Sequence, residues 1–160
     1  GSGPVAQLEG IPGTSAARDR GKGFEEVIEG QDAVRLVASQ PANFDRAQGL
    51  NVTQNILQAH PEIKGIFAQN DEMALGAVQA LGERAGTEVK IVGFDAIEDA
   101  LKAIRDGRMN ATIAQQPAKM GSLGVRNAIK VIEGESVPKN IPVEVRLVTK
   151  ENVSEFLGQQ

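Results

Sequence analysis

Nucleophilic catalysis, metal binding and phosphoryl transfer each need particular side chains at particular spacings, and this 160-residue sequence offers few of them. His60 is its single histidine and it has no cysteine, so a histidine-based triad, a multi-histidine metal site and thiolate chemistry have nothing to be built from. His60 precedes Pro61 and reads as a cap at a helix end. The run Gly10-Ile11-Pro12-Gly13-Thr14-Ser15 joins an apolar segment to a helical one, a place where a phosphate could sit. It fits neither GxxxxGK followed by Ser or Thr nor GxGxxG, and reads as a tight turn capped by Thr14 or Ser15. The carboxylate pairs Glu25-Glu26, Asp71-Glu72 and Glu98-Asp99 are what a two-carboxylate hydrolase would use, yet their context does not separate them from solvated helix turns. The residues therefore predict no catalytic group, no metal and no cofactor.

Five other side chains carry polar or aromatic chemistry at element boundaries, each with an ordinary structural reading beside it. Asn70 and Asp95 stand directly before helical runs and read as N-caps, Asp95 with Glu98 at capping-box spacing. Phe44, in a chain without Tyr or Trp, lies in a polar loop, where packing under the loop is the plain expectation. Arg20 falls within a helix as a solvated side chain. Gln115 ends a strand ahead of Gln116-Pro117, a strand-to-helix boundary with Pro at the first helical position.

The elements that position these residues follow from an alternation of short apolar runs with longer segments of helical period, the pattern of a parallel sheet flanked by helices. Strands are predicted at Val5 to Leu8, Val34 to Ala38, Ile63 to Ala68, Val89 to Phe94, Ala111 to Ala114 and Val143 to Val148, which are short and rich in Val and Ile. Helices are predicted at about 15–30, 45–59, 71–85, 96–106, 117–134 and 151–157. Ile97, Ala100, Leu101 and Ile104 form one apolar stripe, and Val125, Ala128, Ile129 and Ile132 another. Gly107 and Gly134 follow as stops. The fold class is thus α/β, a three-layer open parallel sheet flanked by helices, in which ligands gather at the carboxyl ends of the strands. The segments there run from Glu9 to Thr14, from Ser39 to Phe44, from Gln69 to Asp71, and through Asp95-Ala96 and Gln115-Gln116.

Composition bounds the function classes. With 41% hydrophobic and 24% charged residues the chain has the make-up of an ordinary globular protein. Its net charge of −4, with Lys and Arg scattered, gives no footprint for nucleic acid or an anionic membrane. No apolar run approaches the roughly 18 residues of a membrane helix, and no signal peptide is read. Residues 1–4 read as a fusion scar ahead of an interior strand, and residues 5–160 as a single α/β lobe.

Three long segments carry a resemblance: Gly10-Ile11-Pro12-Gly13-Thr14-Ser15-Ala16-Ala17-Arg18-Asp19-Arg20-Gly21, Ala38-Ser39-Gln40-Pro41-Ala42-Asn43-Phe44-Asp45-Arg46, and Phe67-Ala68-Gln69-Asn70-Asp71-Glu72-Met73-Ala74-Leu75-Gly76. With Val92-Gly93-Phe94-Asp95 and Ala111-Thr112-Ile113-Ala114-Gln115 following in order, the sequence from Val5 to about Lys150 resembles the periplasmic ribose-binding protein family, of the type I periplasmic binding proteins. The resemblance implies a flavodoxin-like carboxy-terminal lobe that supplies half of a monosaccharide site, for ribose or a close relative, with Arg20, Phe44, Asn70, Asp95 and Gln115 as ligand contacts. The chemistry of these side chains suits a pentose: Asp95 offers acceptors, Arg20 a fork of donors, Asn70 and Gln115 both, and Phe44 an apolar face. Phe94 is assigned to the core.

The resemblance further implies a protein that performs no chemistry, works outside the cytoplasm and serves a membrane ABC permease or a chemoreceptor. It implies an absent amino-terminal lobe, on which residues 116–142 would lie in the parent protein. Without that lobe the stripe on the helix after Pro117 is expected to fold back on its own sheet in a monomer, exchange within a dimer being the other outlet. One departure stands beside Asp95, where Ala96-Ile97-Glu98 replaces an expected Gly. The competing readings are the effector-binding core of a lactose-repressor-type regulator, which shares the architecture, and a flavodoxin-like or nucleotide-dependent enzyme.

Overall fold

Val- and Ile-rich runs become strands and amphipathic runs become helices in the computed structural model, which describes residues 1–158; the last two residues of the lobe expected over 5–160 lie outside the described ones. In chain order the elements are β1 (Gly3–Glu9), α1 (Ser15–Glu29), β2 (Val34–Pro41), α2 (Arg46–Ala59), β3 (Gly65–Ala68), α3 (Asp71–Leu81), β4 (Lys90–Val92), α4 (Glu98–Arg105), β5 (Ala111–Ala114), α5 (Pro117–Ile132) and β6 (Arg146–Thr149). Short 3-10 turns occupy Gly82–Arg84 and Val153–Glu155, the second in place of the helix expected over about 151–157. Strand β1 begins at Gly3, so Gly3 and Pro4, read from sequence as part of a scar, pair with Val34 and Arg35 of β2.

The strand order β2-β1-β3-β4-β5-β6 is that of an open doubly wound sheet, whose order reverses between β1 and β3. Strands β1 to β5 run parallel, as the βαβ pattern requires. The sixth corrects the parallel expectation: β6 runs antiparallel to β5, with Ala111 opposite Thr149 and Thr112 opposite Val148. The excursion through α5 explains the reversal. It leaves the end of β5 and returns to the same end, tied there by Gln116 Nε2 donating to the Glu144 carbonyl at 2.8 Å, so the returning strand must run back down beside β5.

The core lies between the sheet and α2, α3 and α4. Ala6, Leu8, Ile66, Ala68 and Ile91 from the strands meet Ile56, Met73, Ala77, Leu101 and Ile104 from the helices, all buried. Helices α2 and α3 approach closely because two glycines face the contact: a β-carbon on Gly76 would lie 2.3 Å from the Arg46 carbonyl oxygen. The α4 stripe Ala100, Leu101 and Ile104 is buried as expected. That of α5 is not. No residue of α5 is buried, and Val125, Ile129 and Ile132 are 63%, 49% and 84% exposed. The expected fold-back does not occur: α5 begins at Pro117, directly behind the Gln116–Glu144 tie, and its stripe stays uncovered.

Candidate functional site

Four connections bring Phe44, Asn70, Asp95 and Gln115 to the carboxyl end of the parallel strands, and helix α1 brings Arg20 over them. Thr14 caps α1, its hydroxyl accepting from Ala17 N at 3.2 Å, and this fixes the helix so that Arg20 leans over the sheet end. The side chain is only 16% exposed, not solvated as its helical position suggested. Its guanidinium carbon lies 3.9 Å from the centre of the Phe94 ring and 5.8 Å from that of Phe44, within cation–π range of both. One terminal nitrogen donates to the Gln69 carbonyl at 2.6 Å and the other to Asp95 Oδ1 at 3.4 Å.

Asp95 is the residue on which the donors meet. Gln115 Nε2 donates to the same Oδ1 at 2.6 Å, so both hydrogen bonds engage one carboxylate oxygen. Burial pushes the Asp95 carboxyl above its ordinary range, against the charge of Arg20 and the bond from Gln115, which pull it down. The capping reading fails here. Helix α4 starts at Glu98 with Ile97 as its N-cap residue, and Asp95 and Ala96 both hold left-handed backbone, with φ of 121° and 62°. The turn that the missing glycine would have relaxed is kept by non-glycine residues.

Asn70 keeps its expected cap and adds a contact. Its Oδ1 accepts from Met73 N at 3.0 Å, and its Nδ2 donates to the Phe44 carbonyl at 3.2 Å. Phe44, at φ 60° after Asn43 at φ 55°, lies half-buried against Gly10, where a β-carbon would fall 2.0 Å from its Cζ. The five residues singled out in the sequence therefore form one chain of contacts: Asn70 to Phe44, Phe44 to Arg20, Arg20 to Asp95, Asp95 to Gln115.

Three further residues belong to this cluster and were misread or passed over. Phe94, assigned to the core, is half-exposed beneath Arg20 because it is the last apolar residue of its strand segment and lies at the sheet's rim. Gln69 is buried, accepting from Gly10 N at 2.8 Å as well as from Arg20. Asp71, grouped with solvated carboxylate pairs, is fully buried. Its Oδ1 accepts from the Thr112 hydroxyl at 2.7 Å and its Oδ2 from Ile97 N at 3.0 Å, and burial pushes its carboxyl up to about 6. The signal for Asp71 was Gly93, whose β-carbon would fall 2.1 Å from Asp71 Oδ1.

His60 ends α2, its N–H donating to the Ile56 carbonyl at 2.7 Å. Among the described residues no group of three or more His, Cys, Asp or Glu is placed to hold a metal ion, and no helix is long and apolar enough to cross a membrane. A cavity of about 460 Å³ beside the cluster is lined by Asp95, Gln115, Gln116, Arg146 and Phe156 among others. It takes in Asp95 and Gln115 and not Arg20, Phe44 or Asn70. The cluster follows the chemistry, whereas the cavity follows the gap between β6 and the start of α5. What the cluster offers is a cation on aromatic rings, a carboxylate and carboxamides on an open rim, a set suited to binding hydroxyl groups.

Residues 1–136 match the family described as periplasmic binding protein domain. The ribose import binding protein RbsB of Escherichia coli (strain K12) is 51% identical over 147 residues, covering 92% of this chain and 49% of that protein. The protein of the same description from Bacillus subtilis (strain 168) is 44% identical over 146 residues, covering 91% and 47%. The crystal structure of an ABC transporter periplasmic solute binding protein from Actinobacillus succinogenes 130z with bound D-allose superposes with a TM-score of 0.90 at 40% identity, covering 96% of this chain and 55% of that one. The chain spans about half the length of these relatives.

Proposed function

The chain belongs to the periplasmic binding protein family, and from that premise we propose that it is a sugar-binding lobe that performs no chemistry, with ribose or a close relative as ligand. The observation that carries the reading is the convergence of Arg20 and Gln115 on Asp95 Oδ1. A pentose presents adjacent hydroxyls, each donor and acceptor. Asp95 Oδ2 accepts from one, the remaining N–H groups of Arg20 and Gln115 donate to its neighbours, and the Phe44 and Phe94 rings meet the C–H face. The naming of ribose in the relatives and of D-allose in the solved structure supports a monosaccharide.

The reading extends to the parent protein. A second lobe closes the other side of the sugar, α5 with residues 116–142 rests on that lobe, and the exposed stripe of Val125, Ile129 and Ile132 is the surface it covers. The assembly works outside the cytoplasm and hands its sugar to an ABC permease or a chemoreceptor.

The test is a titration of the chain with ribose, allose, galactose and AMP, followed by calorimetry and by the NMR signals of the Gln115 side chain and the Asp95 carboxyl. Saturable shifts of these signals with ribose or allose are expected. Shifts with AMP alone, or with no sugar, would overturn the reading.

A further inference from the structure

We infer that Asp71 is a positioning residue for the candidate site: its buried carboxylate holds the turn Asp95-Ala96-Ile97 from beneath and so sets where Asp95 meets Arg20 and Gln115. The inference rests on the proposed reading in so far as Asp95 is a ligand contact. Its structural half stands without a ligand.

The turn needs holding. Asp95 and Ala96 are successive non-glycine residues with φ of 121° and 62°, a conformation that persists only where the surroundings over-determine it. On the sheet side Asp95 N donates to the Ile113 carbonyl at 2.9 Å. On the buried side the amides of the next two residues are met by one pair of side chains. Ile97 N donates to Asp71 Oδ2 at 3.0 Å, Ala96 N donates to the Thr112 hydroxyl at 3.3 Å, and that hydroxyl donates to Asp71 Oδ1 at 2.7 Å. Asp71 N also donates to the Phe94 carbonyl at 2.8 Å.

A local cap is missing from α4. Its N-cap residue, Ile97, carries no side-chain acceptor, and the capping box that Asp95 and Glu98 could have formed is absent. In a capping box an acidic side chain at the third helical position reaches back to the N-cap N–H; here Asp71, 26 residues earlier in the chain, supplies that acceptor. Two costs are accepted for this arrangement. A carboxylate is placed where no part of it is exposed, which disfavours its charged form. Gly93 must also remain glycine, since a β-carbon there would lie 2.1 Å from Asp71 Oδ1. Capping α3 alone would require neither, because Asn70 already does it.

The test is Asp71→Asn, which presents an N–H₂ to a site built for acceptors, read first without ligand by NMR. Expected are displaced backbone amide signals of Ala96 and Ile97, together with displaced signals of the Gln115 side-chain amide and the Asp95 carboxyl, while signals of β2, at the far edge of the sheet, stay in place. Ribose affinity then falls about tenfold, as expected when a buried hydrogen bond to a charged group is lost. A folded Asp71→Asn protein in which Gln115 and Asp95 keep their signals overturns the inference. Should that variant unfold, Thr112→Val serves: it removes the hydroxyl link, and unmoved Gln115 and Asp95 signals there overturn the inference equally. If the unaltered chain shows no sugar-induced shift, the sugar reading fails, and the ligand-free signals still decide the role of Asp71.

Discussion

Gly10 and Phe44 share one volume: the ring of Phe44 fills the place where a side chain at Gly10 would stand, with Cζ 2.0 Å from the position of a β-carbon. The ring that approaches Arg20 is therefore set by an absence on another loop. Gly10→Ala must expel Phe44 or shift the loop that carries Asn43 and Phe44 in left-handed backbone. The expected cost is about 1–3 kcal/mol, the range for overpacking a close contact. Denaturant unfolding of both proteins measures it, and an unchanged midpoint would show that the ring moves freely.

The turn beside Asp95 makes a second, opposite test. Ala96 sits at φ 62° and is buried. Ala96→Gly relieves about 1–2 kcal/mol of left-handed strain and gives up about as much in unfolded-chain entropy and one buried methyl, so stability should stay within about 0.5 kcal/mol. Ala96→Val, β-branched where a β-branched residue is most strained, should lose about 2–4 kcal/mol. Thermal melts of the pair decide it, and equal losses would show that volume, not backbone, governs the site.

Asp71 gives stability a pH dependence of definite sign. Its folded carboxyl is raised from 3.8 to about 6, so between pH 4 and 6 the folded state binds more protons than the unfolded one. The contribution is fully present below the unfolded value and lost as pH rises through the folded one, on the order of 2–3 kcal/mol. Asp95, raised in the same direction, adds to it. The informative quantity is the difference between the unaltered chain and Asp71→Asn. The variant should lack this part of the decline from pH 4 to 6, and parallel curves would count against a raised Asp71.

How much of this was legible in the sequence depends on the range of the interaction. Caps are local: Asn70 was legible from its neighbours, and the α1 cap was narrowed to Thr14 or Ser15, of which Thr14 makes the bond. The α4 stripe was legible because it is a periodicity. The direction of β6 was not, since alternation reveals a strand and not its sense, and the sense follows from the chain leaving and rejoining the sheet at one end of β5. Asp95 was misread as a cap because spacing to Glu98 says nothing about a left-handed turn. Asp71 was misread because its partner Thr112 is 41 residues away.

Binding itself should separate two kinds of surface residue. The half-site leaves a sugar wet on one side, so ribose should bind this chain with dissociation in about the millimolar range. In a protein carrying both lobes, Asp95→Ala and Arg20→Ala should each lower affinity by about 2 kcal/mol or more, because each leaves a partly buried charged partner behind. Lys64→Ala, an exposed change against Gly3, should have no measurable effect. Equal losses for all three would point to global destabilisation.

The α5 excursion carries the last expectation. Its stripe is exposed and none of its residues is buried, so the helix contributes little to folding in this chain. Ile132→Glu and Ile129→Glu should then leave unfolding within about 0.5 kcal/mol, as for surface substitutions; a helix packed on its own sheet would lose about 2–5 kcal/mol from burying an uncompensated charge. A protease should cut first between Gln116 and Pro142 and leave the rest intact, because an uncovered helix opens at little cost. Light scattering at about 10 and 500 μM completes the test, since apolar side chains of this size gain about 1.5–3 kcal/mol each when covered. A monomer at both concentrations with a readily cut α5 is the outcome the exposed stripe predicts when no partner lobe is present. A mass that rises with concentration and falls back in Ile132→Glu would show that a second chain can cover the stripe. Slow cleavage of α5 in a monomer, with a large loss in Ile132→Glu, would show instead that the helix rests on its own sheet in solution.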